Sequence, residues 1–116
     1  MSEEVALRKR LCKELERELK RIEELADKAK KNEKRAIEEF LKYTLEIRRV
    51  QYFSEDSHDW KTLYYEFLLT YGGPRIWITS NSIRGAWSPV ECELCLPEKV
   101  REFICAVEDY ISEMDE

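Results

Sequence analysis

The chain has 116 residues, 39% of them charged, with a net charge of −5 and a mean hydropathy of −0.62. That length suits one domain and is too short for two ordinary ones, and no apolar run approaches the roughly 18 to 20 residues that span a bilayer. Three tryptophans, six tyrosines and four phenylalanines argue against the disorder such charge otherwise implies, so a folded protein is expected, and a cytoplasmic one because the N-terminus lacks the apolar core of a signal peptide.

Ser2 followed by Glu3 and Glu4 supplies a capping hydroxyl and acids for a positive first turn, which predicts a helix start. Leu11, Leu15, Ile22, Leu25, Ala29 and Ala36 then form a seam of threes and fours, with Glu18 and Asn32 occupying two seam positions. Leu19, Ala26, Ile37, Phe40 and Leu41 widen it into an amphipathic stripe. Residues 27–33 are polar enough for the turn of a helical hairpin, yet they include neither Gly nor Pro and all tolerate helix, so one continuous helix is favoured. The helical pattern fades between Ile47 and Phe53, and residues 54–59 read as a loop leading to a sheet.

Residues 63–96 hold all three glycines and most of the turn residues, set between runs rich in β-branched and aromatic side chains. Gly72 and Gly73 permit a tight corner and Pro74 starts an outer strand. Ser80-Asn81-Ser82 and Ser88-Pro89 mark two further corners. Alternation puts Leu63, Tyr65, Phe67 and Leu69 on one side of the first strand and Tyr64, Glu66 and Leu68 on the other, while Ile76 and Ile78 oppose Arg75, Trp77 and Thr79. One face is expected to pack on helix and the other to be a contact surface. Trp77 and Trp87 are expected to share a face, either as core or as an interface anchor.

Pro97-Glu98 opens a last helix in which Val100, Phe103, Ile104, Val107, Ile111 and Met114 recur at helical spacing, with Glu102, Glu108, Asp109 and Glu113 outside the stripe. The predicted class is α+β: a long N-terminal helix or helical hairpin, an antiparallel meander of about four strands, and a C-terminal helix packed on it. Residues 1–116 form one domain, a helical arm over 1–53 and a sheet with its closing helix over 54–116.

Chemistry-bearing motifs are sparse. Cys12, Cys92, Cys95 and Cys105 read as free thiols. Cys92 and Cys95 have C-x-x-C spacing, but on a strand an odd separation points them to opposite faces, which disfavours a metal chelate. His58, the one histidine, lies in an Asp/Ser-rich stretch and reads as solvated. No phosphate-binding, dinucleotide, metalloprotease or nucleophile-elbow pattern occurs. Neither an enzyme nor a bound cofactor or metal is expected.

Residues 1–53 carry 15 Lys+Arg against 12 Asp+Glu, net +3, and residues 54–116 carry 5 against 13, net −8. Basic clusters at Arg8-Lys9-Arg10 and over 28–35 are interleaved with acids, so direct nucleic-acid binding is expected to be weak at most. The acidic half suits a basic groove instead.

The segment from Tyr65 to Glu113 resembles small acidic proteins of phages and other mobile elements, some type II anti-CRISPR inhibitors among them, in its Gly72-Gly73-Pro74 corner, its Trp77 strand, its Gly85-x-Trp87 strand and its acidic closing helix. The resemblance implies a viral inhibitor that binds a host defence protein or ribonucleoprotein and blocks its nucleic acid. Charge and aromaticity give the expected contact residues: Glu91, Glu93, Glu102, Glu108, Asp109 and Glu113 against basic side chains, with Tyr71, Trp77 or Trp87 as an apolar anchor. Two alternatives stand beside this one, a homodimeric scaffold joined through the N-terminal leucine seam and a regulator binding nucleic acid through the basic helix.

Overall fold

Ser2 caps the first helix as predicted, its Oγ accepting the Val5 N–H at 3.2 Å with Glu3 and Glu4 in the first turn. The computed structural model describes residues 2–114. They run α1 (Glu3–Ala29), α2 (Glu33–Tyr43), β1 (Glu46–Ser54), β2 (Asp59–Thr70), β3 (Arg75–Ile78), β4 (Ser82–Trp87), β5 (Val90–Cys95) and α3 (Glu98–Met114). The class is α+β, with five antiparallel strands paired in chain order rather than about four, and β3, which follows Pro74, is the central strand and not an outer one.

The N-terminal helix is not continuous. It ends at Ala29, and Asn32, the polar residue in the seam, caps a second helix by accepting the Arg35 N–H at 3.2 Å. No Gly or Pro is needed because the break is driven from outside the turn: folding back lets Ala36, Ile37 and Phe40 bury beside Ile22 and Leu25. Lys28 and Glu39 meet at 3.5 Å across the hairpin. Glu18, the other polar seam residue, stays in α1 and accepts a hydrogen bond from the Tyr43 hydroxyl of α2, while Arg21 stacks 3.7 Å from the Tyr43 ring centroid. Burial pushes the Glu18 carboxyl above its ordinary value, with Arg21 acting against that shift.

The helical arm does not reach residue 53. Residues 46–54 are a strand, and of the expected 54–59 loop Ser54 and Asp59 are the last strand pair, with 55–58 as the hairpin turn that joins β1 to β2. His58 takes a positive φ of 54° in this turn. The pairing of β1 with β2 carries one bulge: Val50 faces Tyr64 but Gln51 faces Thr62, leaving Leu63 as the extra residue. Leu63 is therefore exposed instead of lying in the buried row with Tyr65, Phe67 and Leu69.

All three helices lie on one face of the sheet, above Phe67, Ile76, Ile78, Ile83 and Val90. Phe40 of α2 makes edge contacts with Phe67 of β2, at 5.2 Å between centroids, and with Phe103 of α3, at 5.8 Å. At the other end α1 crosses β4 closely. A Cβ on Gly85 would lie 2.9 Å from Leu11 Cδ1 and 2.9 Å from Leu15 Cδ2, so any larger residue here would have to displace the tips of both buried leucines. The leucine seam is thus buried within the chain, Leu11 and Leu15 on the sheet and Ile22 and Leu25 beside α2, so the apolar surface that suggested a dimer through the helices is already covered. Cys12 of α1 and Cys92 of β5 form a disulfide, their Cα atoms 5.9 Å apart, which corrects the reading of four free thiols. Cys95 and Cys105 are free and exposed. Among the described residues no helix is long and apolar enough to cross a membrane.

Candidate binding surface on the open sheet face

Helices on one side leave the other side of the sheet uncovered. Because alternate residues face opposite ways, the register assigns its occupants directly. Glu46 of β1 pairs with Leu68 of β2, Leu68 with Trp77 of β3, Trp77 with Arg84 of β4, and Arg84 with Glu93 of β5. One transverse row, Glu46, Leu68, Trp77, Arg84, Glu93, thus crosses all five strands with its apolar pair in the middle and its charges outside. Arg48 and Glu66 pair in the adjacent row, 3.8 Å apart, while Arg75 and Glu91 flank Ala86 on the other side.

The centre of this row is concave. Glu46, Arg48, Glu66, Leu68, Arg75, Trp77 and Arg84 line a hollow of about 160 Å³. Trp77 is half-buried at its base, and the Arg84 Cζ stacks 5.0 Å from the indole centroid. Its indole Nε1 is buried and finds no hydrogen-bond acceptor among the described residues. Arg84 also approaches Glu93 at 4.0 Å, a pair too open to solvent to hold either side chain firmly. An apolar centre ringed by charges of both signs has the anatomy of a protein-contact patch.

The residues expected to make contact fall into separate places. Trp77, Glu91 and Glu93 share the open face. Tyr71 is exposed at the β2–β3 corner, where Arg75 stacks 5.3 Å from its ring centroid, beside Gly72 with its φ of +98°. Trp87 is on the opposite face, contrary to expectation. Ile78 pairs with Ile83, which sets Trp77 against Arg84, and the odd step from Arg84 to Trp87 turns the second indole towards α1, where Arg10 stacks 5.2 Å from its centroid.

Glu102, Asp109 and Glu113 are exposed on α3 and line, with Arg101, Cys105 and Tyr110, a groove that α2 closes with Glu33, Lys34 and Ile37. Glu108 does not lie with them. Because β3 pairs with β2 only as far as Phe67, the Tyr65 N–H lies beyond the end of the ladder, and the Glu108 carboxylate turns inward to accept it at 3.0 Å. Burial raises the Glu108 pKa, and the hydrogen bonds from the Tyr65 N–H and the Ser80 hydroxyl oppose that rise. Burial also pushes up the Cys105 thiol, with Glu108 and Asp109 adding to the effect.

Cys92 turns towards α1 and Cys95 away from it, so the C-x-x-C pair is split across the sheet. Among the described residues no group of three or more His, Cys, Asp or Glu side chains is placed to hold a metal ion. Sequence reasoning missed Arg48, Glu66, Leu68 and Arg84 as parts of the surface. The missing signal was the strand character of 46–54, since without β1 and its register the row has no left half. Comparison with protein-family models, curated proteins and solved structures finds no match to this chain.

Proposed function

We propose that this chain is a non-enzymatic inhibitor that acts by covering a surface of a protein partner, with the Trp77 row as its contact centre. The observation carrying this reading is the composition of the open face: a half-buried indole and Leu68 in a hollow, ringed by Arg48, Arg75, Arg84, Glu46, Glu66 and Glu93. Desolvated aromatic anchors inside a charged rim supply most of the binding energy in protein interfaces. The partner class we propose is a host defence protein or ribonucleoprotein that handles nucleic acid. Its support is the net −8 of residues 54–116 and the resemblance to acidic phage proteins. Glu91 and Glu93 beside the anchor, and Glu102, Asp109 and Glu113 on α3, are the carboxylates available to occupy side chains that otherwise hold phosphates.

The experiment is capture of the partner from host cells on the tagged full-length chain, followed by competition with DNA and RNA. Nucleic acid is expected to displace the chain from its partner, and an unloaded partner is expected to bind better than a loaded one. Equal binding to both forms contradicts phosphate competition while leaving the Trp77 surface to be tested by Trp77→Ala.

A further inference from the structure

Six of the nine exposed large apolar side chains among the described residues, Leu45, Ile47, Tyr52, Phe53, Trp60 and Leu63, lie on or beside the β1–β2 hairpin. Phe53 and Trp60 are a cross-strand pair 5.6 Å apart, 48% and 60% exposed. β1 is also a sheet edge, nine residues long and free of proline, whereas the other edge, β5, is tied to α1 by the Cys12–Cys92 disulfide. A long edge strand that carries apolar side chains is a template for a further strand.

We infer that two copies of the chain pair antiparallel along β1, forming one continuous sheet with all helices on the same side. Edge-to-edge antiparallel pairing places the dyad perpendicular to the sheet, so each residue meets a partner from its own face and paired numbers sum to an even total. The one such register that pairs all nine strand residues is centred on Val50. It sets Glu46 against Ser54, Ile47 against Phe53, Arg48 against Tyr52 and Arg49 against Gln51 of the second copy. No like charges face each other. The apolar residues at the two ends of β1 meet, Ile47 of one copy beside Phe53 of the other, twice about the dyad, with Trp60 flanking Phe53 one strand further in. Moving the register by two towards Glu46 sets Arg49 against its own copy. The β1 sequence is therefore complementary to itself, and the match pairs the exposed edge while leaving the Trp77 face open.

Sedimentation of the full-length protein at high micromolar concentration is expected to give twice the 14.0 kDa chain mass. Ile47→Lys alone and Phe53→Glu alone are each expected to weaken the dimer by at least about tenfold, since each buries a lone charge at the seam. Combining Ile47→Lys with Phe53→Glu sets the new ammonium of one copy against the new carboxylate of the other across the dyad, and this double variant is expected to restore the dimer. Both sites are exposed, and circular dichroism of the monomeric variants checks that they stay folded. A second measurement uses Val50→Cys in a Cys95→Ser, Cys105→Ser background, which is expected to cross-link into a dimer on oxidation. A wild-type protein that sediments as a single chain, a dimer that survives both single substitutions, or a double variant that stays monomeric overturns the proposal.

Discussion

The body of the molecule and its projecting hairpin are built from the same kinds of residue put to different use. In the body, Phe40, Phe67 and Phe103 meet edge to face and are at most 4% exposed. In the hairpin, Phe53 and Trp60 meet in the same way and stay about half exposed. The first cluster removes its apolar area from water on folding and so contributes to stability. The second gains little from folding alone. Aromatic area that folding leaves in water is the surface on which the proposed pairing of two copies draws.

Substitutions sharpen that contrast. Phe40→Ala is expected to cost ~3–5 kcal/mol of unfolding free energy by denaturant titration, because it opens a cavity among three elements. Reducing the Cys12–Cys92 disulfide, which spans 80 residues of chain, is expected to cost ~2–4 kcal/mol by freeing α1 from β5 in the unfolded ensemble, read as a lowered thermal midpoint. Gly85→Ala is expected to cost ~1–3 kcal/mol, since the new methyl group meets Leu11 and Leu15 side chains that have little room to move. Phe53→Ala in the hairpin is expected to change monomer stability by no more than ~0.5 kcal/mol. A Phe53→Ala loss as large as that of Phe40→Ala erases the distinction between the two regions.

The smallest effect concerns pH. Burial raises the Glu18 pKa above 4.5, so the folded state holds more protons than the unfolded chain between that value and the raised one. The resulting stability is present at low pH and is lost as the pH rises through this window. Glu18→Gln keeps an acceptor for the Tyr43 hydroxyl and cannot titrate. Its stability relative to the wild type is expected to rise as the pH climbs from 4.5 towards neutrality, and a constant difference contradicts the assignment.

Much of this architecture could be read from residue patterns whose signals are local. The Ser2 cap, the alternation of Tyr65, Phe67 and Leu69, and the stripe of α3 each depend on neighbours a few positions away. What escaped was set by distant partners. Asn32 tolerates helix, and only the burial of Ile37 and Phe40 against α1 makes it a cap. The Arg48-Arg49 charges masked the alternation of β1, which is stabilised as an edge by pairing with β2. Glu108 has the charge and spacing of an exposed residue, and it turns inward because β3 ends too early to satisfy Tyr65. The Trp77 and Trp87 faces depended on a register that pairs Ile78 with Ile83. The candidate site was legible in Trp77, Glu91 and Glu93, and not in Arg48, Glu66 and Arg84, whose place in the row exists only once the strands are paired.

The two tryptophans on opposite faces of one sheet offer the most direct test of the central claim. Trp77→Ala and Trp87→Ala are to be compared for affinity to the captured partner and for unfolding midpoint in the same buffer. Trp77→Ala is expected to weaken binding by at least about tenfold, the scale of an interface hot spot, with the smaller loss of stability. Trp87→Ala, which strips an indole from under Arg10 on the helix side, is expected to lower the midpoint more and leave affinity unchanged. If Trp77→Ala binds as the wild type does while Trp87→Ala loses the partner, the contact surface is not the open face of the sheet.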